Sequence, residues 1–421
     1  MKEKLKILTL GDHPISPSGV GIQTRYMIEG LIKTGKYEFV SLGGAIKHND
    51  YAPVRVEGYE ENWVVLPVDG YGTQEMVRSV LRNEKPDILW LMTDPRFWGW
   101  LWHMEHEIRP LVPMVYYHVW DNYPYPKYNK QFYDSNDVVV TISKLTDDIV
   151  RNVSPDVECK YLPHSVNNEL FKIIDETTVK SFRDSSFPAE KNPDRTMFFF
   201  NSRNARRKQS GSMLWWYKEF LDIVGHDNAC LLMHTDPKDP HGQDLELMIK
   251  ELGLINGQAL ISRQKVDTEY LALMYNMCDC TIAISDAEGF GLSVNESLSC
   301  GTPVIATMTG GLQEQVTDGK EFFGVGIEPA SKAVIGSQEV PYIYEDRISK
   351  ESYIDALLKI HNMSKEKRKE LGRKGRDHIL KNYNCENYIK QWDETFTEVY
   401  EKYGSWDTRK NYKAWRLLEV S

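Results

Sequence analysis

The sequence predicts an α/β protein built from two doubly wound, Rossmann-like domains whose parallel sheets face each other across a cleft. Three observations support this prediction. A chain of 421 residues is too long for one ordinary domain. Strand-like apolar runs alternate with helix-like segments, which is typical of parallel sheets covered by helices on both faces. The alternation begins again after residues 184–196, a stretch rich in proline, serine and charge.

The elements of the first domain follow one another without a long break. Residues 5–10 form a strand-like apolar run, residues 11–21 form a loop of glycine, serine and proline, and the apolar residues of 21–35 recur at helical spacing. The same criteria predict strands at 64–67, 87–92, 114–119 and 137–143, and helices at 75–84, 98–110 and 144–153.

The second domain repeats this rhythm. Its predicted strands cover residues 197–202, 229–235, 259–263, 280–285 and 303–307. Its predicted helices cover residues 212–224, 244–254, 269–278 and 293–301. A basic loop at 203–210 and two glycine loops at 286–291 and 308–316 lie between them. Because ligands of such sheets bind outside the carboxyl ends of the strands, we expect a binding site in these loops.

The expected domains are residues 1–168 and residues 169–403. Residues 404–421 contain Trp406, Trp415, Leu417 and Leu418, and this segment is too apolar for a free tail. We therefore expect it to return to the first domain.

Composition and charge exclude several classes of protein. With 41% hydrophobic and 27% charged residues, the chain is neither disordered nor fibrous. A net charge of −10 does not favour nucleic acid as a partner, because phosphate binding needs a clustered basic face. The sequence has no transmembrane segment and no signal-peptide pattern. Its six scattered cysteines indicate reduced thiols, so we expect a cytoplasmic protein.

The strongest chemical motif is a pair of glutamates. Glu288 lies in a predicted strand-to-helix loop and Glu296 lies about two turns into the next helix, so that both can face the cleft. The free N–H groups at the start of that helix form a site for an anion such as phosphate. The residues between the two glutamates are Gly289, Phe290, Gly291, Leu292, Ser293, Val294 and Asn295.

Two further motifs follow this loop, residues 300–305 (CGTPVI) and residues 310–314 (GGLQE). With them the sequence resembles glycosyltransferase family 4, a group of retaining sugar-nucleotide enzymes with the two-Rossmann-domain GT-B architecture. The resemblance implies that Glu288 is catalytic and contacts the hydroxyls of the transferred sugar. It also implies that Glu296 accepts from the ribose of the nucleotide. A carboxylate suits such a diol because it accepts two hydrogen bonds at once.

The basic loop carries a predicted clamp for the donor diphosphate. Arg203 and Lys208 match the arginine and lysine that hold the diphosphate in the family, which makes both of them candidate catalytic and donor-binding residues. Two permanent cations neutralise a departing nucleoside diphosphate. Arg263 falls where the family holds the nucleobase. GT-B members generally need no metal for this purpose, so the resemblance implies no metal and no cofactor besides the nucleoside-diphosphate sugar, which is the donor substrate.

The first domain supplies two further candidates through the same resemblance. Gly19, Val20 and Gly21 match the glycine loop that approaches the donor. His118 matches the cleft histidine beside the anomeric carbon, so we expect it to be catalytic.

Three features depart from the family pattern. His164-Ser165 replaces the usual Asn-Gly at the interdomain turn, which makes His164 either a hinge residue or an acceptor contact. Ser202 replaces the usual glycine before Arg203. The stretch at 322–346 is longer than a minimal member of the family needs between its last strands. We expect this stretch to cover the donor pocket or to contact the acceptor.

The resemblance implies retaining transfer of a sugar from a nucleoside-diphosphate sugar to a hydroxyl acceptor, with attack from the face at which the diphosphate leaves. The aromatic runs at 97–103 and 116–125 and the acidic net charge favour a saccharide or other small glycan as acceptor. The alternatives are transfer to a nucleic-acid base or a lipid, another GT-B reaction such as epimerisation or phosphorolysis, and a catalytically inactive GT-B scaffold. The donor sugar and the nucleobase stay open.

Overall fold

The computed structural model describes residues 2–187 and 192–412. The chain divides into two compact units. The first unit comprises residues 1–164, 338–341 and 385–421, and the second comprises residues 165–337 and 342–384. Among the described residues, no helix is both long enough and apolar enough to span a membrane.

The first unit contains an eight-stranded sheet. Its strands are ordered β3-β4-β2-β1-β5-β6-β7-β8, and all are parallel except β3, which pairs antiparallel with β4. The central strands β5, β6 and β7 are buried along their whole length, as expected for a sheet with helices on both faces. The elements are β1 (Leu5–Asp12), α1 (Gly19–Lys33), β2 (Tyr37–Gly44), β3 (Val54–Arg55), β4 (Trp63–Pro67), α2 (Gln74–Glu84), β5 (Ile88–Met92), α3 (Gly99–Trp102), α4 (Glu105–Ile108), β6 (Met114–His118), α5 (Lys130–Asp134), β7 (Val138–Thr141), α6 (Lys144–Val153) and β8 (Glu158–Tyr161).

The second unit contains a six-stranded, fully parallel sheet and a separate antiparallel hairpin. The sheet order is β11-β10-β9-β12-β13-β14, and the hairpin pairs β15 with β16. The elements are α7 (Glu176–Ser186), β9 (Thr196–Asn201), α8 (Ser210–Val224), β10 (Ala229–His234), α9 (Leu245–Glu251), β11 (Ala259–Ser262), α10 (Thr268–Met277), β12 (Cys280–Ala283), α11 (Leu292–Ser299), β13 (Val304–Thr307), β14 (Gly324–Ile327), β15 (Ser331–Ile335), β16 (Ile343–Arg347), α12 (Lys350–His361) and α13 (Lys365–Asn382). The prediction of an α/β protein with two doubly wound parallel sheets is confirmed.

Several elements differ from the sequence-based expectation. The predicted helix at 98–110 is two short helices, α3 and α4, separated by two residues. The strands β2 and β14 had not been predicted, because both are rich in glycine and lack a clear apolar period. In β14, Gly324 lies so close to β13 that a Cβ there would be 1.9 Å from the carbonyl oxygen of Val304.

A final helix, α14 (Cys385–Tyr403), packs on the first unit. Its buried face consists of Tyr388, Trp392, Phe396 and Val399, spaced as one stripe of a helix. The Tyr37 hydroxyl donates to Asp393 Oδ1 over 2.7 Å. The return to the first unit therefore begins with α14, and not at residue 404 as the sequence had suggested.

The chain after α14 also contacts the first unit. Ser405 Oγ donates to Asp87 Oδ1 over 2.9 Å, and Trp406 Nε1 donates to the carbonyl oxygen of Pro86 over 2.8 Å. Trp415, Leu417 and Leu418, on which the sequence-based expectation also depended, lie outside the described residues.

A buried ion pair joins the chain after α14 to the residues that precede β7. From this ion pair we predict an effect on the stability of the protein. Arg409 and Asp137 lie 2.7 Å apart, with side chains 4% and 1% exposed. In Arg409→Met, Arg109 at 3.2 Å is the cationic partner that Asp137 keeps among the described residues. We expect urea unfolding to show a loss of about 2 kcal/mol in the free energy of unfolding. The exposed neighbour Lys410 provides the control, and an Arg409→Met protein as stable as Lys410→Met would contradict the prediction.

Candidate active site

The candidate site lies in the second unit, where two loops follow neighbouring strands. β9 and β12 are adjacent in the sheet, so the loops at their carboxyl ends meet at one edge. The basic loop follows β9 and the loop with Glu288 follows β12. A backbone hydrogen bond joins the two loops, from the N–H of Asp286 to the carbonyl oxygen of Arg207 over 2.7 Å.

Glu288 is the centre of an ionic cluster. Its Oε2 forms an ion pair with Lys208 Nζ, lies 3.4 Å from the Arg207 guanidinium and accepts from Ser285 Oγ over 3.2 Å. The Lys208 and Glu288 side chains are 13% and 14% exposed. Burial alone would raise the pKa of Glu288, but the charges of Lys208 and Arg207 and the hydrogen bonds outweigh it and hold the pKa at about 2. Glu288 is therefore ionised at any physiological pH.

Glu296 has a different environment. The Tyr275 hydroxyl donates to its Oε2 over 2.7 Å, and Asn201 Nδ2 donates to the same atom over 3.3 Å. Burial raises the pKa of Glu296 to about 7, and these two hydrogen bonds offset only part of the effect. Two carboxylates eight positions apart thus have pKa values on opposite sides of their usual range.

Glycines hold the loop of Glu288 in place. Gly291 precedes α11 with a φ of 95°, a conformation that glycine adopts without strain. Gly310 packs directly on this loop, because a Cβ there would lie 1.9 Å from the carbonyl oxygen of Glu288. The Phe290 side chain is buried against the Tyr383 ring. As a result, the predicted donor-binding stretch forms one loop and the first turn of a helix: Gly289, Phe290, Gly291, Leu292 and Ser293.

The structure does not join Arg203 to Lys208 in one cluster. The Arg203 side chain is 60% exposed, and its Nε donates to Asp239 Oδ2 over 2.6 Å. The residue that accompanies Lys208 at Glu288 is Arg207, which the sequence reasoning passed over. The run of cations at 206–208 was the available signal, and a 3-10 turn over these residues brings Arg207 and Lys208 to the carboxylate.

Arg263 also lies apart from this cluster. It follows β11, an edge strand two positions from β9, and its guanidinium pairs with Glu246. The Arg263 side chain is 63% exposed. The described contacts thus pair Lys208 with Glu288 and place Glu296, in α11, against the end of β9, but they leave Arg203 and Arg263 on other carboxylates.

His118 is buried inside the first unit, which departs from the expected position in an open cleft. Its side chain is fully buried, with Nδ1 2.9 Å from the Tyr116 hydroxyl and Nε2 2.8 Å from the Tyr133 hydroxyl. Burial lowers the pKa of His118 to about 3, so the ring is neutral. Since both ring nitrogens have tyrosine partners, the described geometry leaves neither of them to a ligand.

The glycine loop of the first unit is the start of α1. Gly19, Val20 and Gly21 form its first turn, and Ser18 caps it by accepting from the N–H of Gly21 over 3.0 Å. Ser18 in turn donates to Asp12 over 2.6 Å. Gly21 is required here because a Cβ would lie 2.8 Å from the Ser16 carbonyl oxygen.

His164 and the aromatic runs mostly belong to the core of the first unit. His164 Nδ1 lies 2.7 Å from the Tyr117 hydroxyl, and burial lowers the pKa of His164 to about 3. Trp98, Trp102 and Tyr117 are also buried. Among residues 2–187 and 192–412, no group of three or more His, Cys, Asp or Glu side chains is arranged to hold a metal ion.

Two doubly wound parallel sheets, one in each unit, are the architecture of GT-B structures. The chain matches the structure of sucrose-phosphate synthase from Thermosynechococcus elongatus with a TM-score of 0.74, over 95% of this chain and all of that one. The sequence identity is 17%, so this likeness concerns the fold alone.

Sequence comparisons then give the class of the second unit. Residues 217–378 match the family described as Glycosyl transferases group 1. This match lies largely within the second unit, and the likeness of the whole chain to GT-B structures concerns its fold. The matched region contains Glu288 and Glu296, whereas Arg207 and Lys208 lie before it.

Individual relatives share only parts of this chain. A D-inositol 3-phosphate glycosyltransferase of Thermomonospora curvata is 42% identical over 66 residues, 15% of each chain. The N-acetyl-α-D-glucosaminyl L-malate synthase of Bacillus anthracis is 20% identical over 267 residues, 63% of this chain and 61% of the relative. The aligned regions thus span less than two thirds of either relative.

Proposed function

We propose that this chain is a retaining glycosyltransferase that moves a sugar from a nucleoside-diphosphate sugar to a hydroxyl of a small acceptor. The observation that supports it best is the ionic cluster of Glu288 with Lys208 and Arg207 beside the glycine loop and the start of α11. This cluster combines an acceptor for sugar hydroxyls with cations for a diphosphate.

In the proposed reaction, Lys208 and Arg207 hold the diphosphate. Without donor, their charges are balanced by Glu288. Phosphate oxygens of the donor take over these cations, and the first N–H groups of α11 complement the same negative charge. Because charge grows on the diphosphate as the glycosidic bond breaks, fixed cations stabilise the transition state more than the bound substrate.

Glu288 then faces the transferred sugar. Once the diphosphate binds Lys208 and Arg207, the carboxylate of Glu288 is available to accept hydrogen bonds from the sugar hydroxyls. Its pKa of about 2 keeps this acceptor charged throughout the physiological range. It thereby orients the sugar and favours the positive charge that develops at the anomeric carbon.

Glu296 is the proposed contact of the nucleotide ribose. Both protein donors, Tyr275 and Asn201, bind Oε2, and in the described part of the chain no donor binds Oε1. This leaves Oε1 for a ribose hydroxyl. The resemblance to family 4 supports the same role.

Retention is proposed to follow front-side attack. The bond between the anomeric carbon and the diphosphate oxygen breaks while the acceptor oxygen bonds to the same face of that carbon. The acceptor proton passes to an oxygen of the departing diphosphate. The protein contributes the cations of Lys208 and Arg207 and the carboxylate of Glu288, and no protein nucleophile is needed.

Small hydroxyl compounds are the proposed acceptors. The relatives named above are named for D-inositol 3-phosphate and for L-malate, both of them small and polar. The acidic net charge of this chain also does not favour nucleic acid.

A donor screen tests the proposal. Sugar nucleotides that carry uridine, guanosine, adenosine, cytidine or thymidine diphosphate are added singly, and the melting temperature is measured. A true donor at a hundredfold excess over its dissociation constant adds about 2.7 kcal/mol of stability to the folded state. Lys208→Met is the matched control and should lose this protection. If no sugar nucleotide raised the melting temperature or released its diphosphate, the proposed function would be wrong.

Chelation provides a separate prediction. Since Lys208 and Arg207 supply the positive charge at the diphosphate, we expect EDTA to leave the rate of sugar transfer unchanged. The measurement is initial-rate release of nucleoside diphosphate with and without chelator. Activity that is abolished by EDTA and restored by Mn²⁺ would contradict a metal-independent reaction.

A further inference from the structure

The hairpin of β15 and β16 lies against the candidate site. Most of the hairpin lies within the segment at 322–346. Its two strands pair in antiparallel register, with Ser331 opposite Arg347 at one end and Ile335 opposite Ile343 at the other. The N–H of Asp346 donates to the carbonyl oxygen of Asp286 over 2.9 Å. Asp286 precedes Glu288 by two positions. The end of the hairpin that lies away from its turn is therefore hydrogen-bonded directly to the loop that carries Glu288.

A network of charges fastens the hairpin to the basic turn as well. The Arg206 guanidinium donates to both oxygens of Glu345, over 2.7 and 2.6 Å. Arg347 joins the two acids, because its guanidinium lies 3.0 Å from Glu345 Oε2 and 2.8 Å from Asp286 Oδ2. Gln209 Nε2 also donates to Asp286, over 2.7 Å. The Glu345 and Asp286 side chains are only 5% and 3% exposed.

The network separates three adjacent cations into two groups. Arg206 pairs with Glu345, whereas Arg207 and Lys208 pair with Glu288. A bidentate arginine–carboxylate pair fixes both the direction and the distance of the guanidinium. Arg206 is the first residue of the short turn that also contains Arg207 and Lys208. The position of Arg206 therefore fixes the backbone positions from which the other two side chains extend.

We infer that Glu345 is a positioning residue for this site, which holds Arg206 so that the adjacent Arg207 and Lys208 face Glu288 and the incoming diphosphate. The inference rests on the proposed function. It also gives the segment at 322–346 a role through the basic turn instead of through contact with a substrate.

Burial and charge agree with this role. Burial raises the pKa of Asp286 to about 6, although the hydrogen bond from Gln209 and the charge of Arg347 lower it. Burial also disfavours the charge of Glu345, but Arg206 and Arg347 outweigh this effect and lower its pKa. If Glu345 were neutral, the carboxylate left to Arg206 in the described part of the chain would be the more distant Asp286, at 3.7 Å, and Arg206 would compete with Lys208 for the nearby carboxylates.

The test compares Glu345→Gln with a neighbour on the same strand. Asp346→Asn is the matched control, because the Asp346 side chain lies 3.8 Å from the exposed Lys332. With the donor that the wild type uses, we expect Glu345→Gln to lower kcat by about tenfold and to change the donor KM by less than about threefold. Asp346→Asn should match the wild type in both constants.

A double-mutant cycle identifies the route of the effect. If Glu345 acts through Arg206, then Arg206→Gln should lower kcat to a similar extent, and adding Glu345→Gln to it should cost little more. Arg206 is 52% exposed, so its substitution keeps the test valid even if Glu345→Gln folds poorly. Wild-type kcat in Arg206→Gln, or full additivity of the two substitutions, would overturn the positioning role. Inactivity of the wild type with every donor would instead refute the proposed function.

Discussion

Replacement of Glu288 by glutamine is expected to leave the fold intact and to lower sugar transfer by about 100-fold or more. Glutamine keeps the shape of the side chain but removes the charge that, in the proposed reaction, accepts from the sugar hydroxyls. It also removes the carboxylate with which Lys208 and Arg207 form ion pairs. The loss should therefore appear mainly in kcat, because the missing interaction is strongest when positive charge develops on the sugar.

The measurement is steady-state release of nucleoside diphosphate, accompanied by circular dichroism to verify the fold. Glu321→Gln is a matched control, because it is the same substitution at a carboxylate that pairs with Lys374 and is 47% exposed. Its activity should equal that of the wild type. Turnover in Glu288→Gln at the level of Glu321→Gln would remove Glu288 from the mechanism.

The second large effect concerns stability, and here Glu296→Gln should stabilise the protein at alkaline pH. The pKa of Glu296 rises from its ordinary value of 4.5 to about 7 in the folded protein. Above pH 7 the folded state must therefore hold a buried charge for which the described residues provide no ion pair. Glutamine removes this cost and should raise the free energy of unfolding at pH 8 by about 3 kcal/mol. The gain should fall below about 1 kcal/mol at pH 5, because the wild-type carboxyl is then mostly protonated in the folded protein.

Urea unfolding of both proteins at pH 5 and pH 8 measures this difference, and calorimetry with the donor measures what it costs. We expect Glu296→Gln to bind the nucleotide more weakly, by about 1.5 to 3 kcal/mol, because a charged acceptor for the ribose is lost. A variant that is no more stable at pH 8, or that binds the nucleotide as tightly as the wild type, would contradict the assigned environment or role.

In the same urea experiment, Glu288→Gln should change the free energy of unfolding in the opposite direction. The pKa of Glu288 is lowered to about 2, so its ionised form stabilises the folded state above pH 4.5 and this contribution is lost only as the pH falls toward 2. Glu288→Gln should thus be less stable than the wild type at pH 8, whereas Glu296→Gln should be more stable. The same substitution at these two positions therefore distinguishes Glu288, whose carboxylate forms ion pairs, from Glu296, whose carboxylate accepts only from neutral donors among the described residues.

The order of strands and helices could largely be predicted from the sequence, because buried parallel strands such as β5 and β6 are continuous apolar runs. Elements whose stability depends on tertiary contacts could not. β14 is a short run of Gly-Val-Gly-Ile that is held by its neighbour β13. The placement of α14 on the first unit depends on buried side chains such as Trp392, and the helix pattern alone does not show which surface covers them.

Within the candidate site, the sequence motifs and the family resemblance singled out the two glutamates and Lys208, but they did not predict the partners of the arginines. The sequence offers Arg203, Arg206 and Arg207 to the same strand end. Only the folded chain shows that Asp239 pairs with the first, Glu345 with the second and Glu288 with the third. The burial of His118 between two tyrosine hydroxyls likewise follows from tertiary packing.

Proton NMR of the wild-type protein with sugar nucleotides and small hydroxyl acceptors tests the proposed reaction most directly. We predict that the anomeric signal of one donor disappears, that free nucleoside diphosphate accumulates, and that the glycoside product has the anomeric configuration of the donor. Consumption of no donor, or a product of inverted configuration, would contradict retaining transfer at this site.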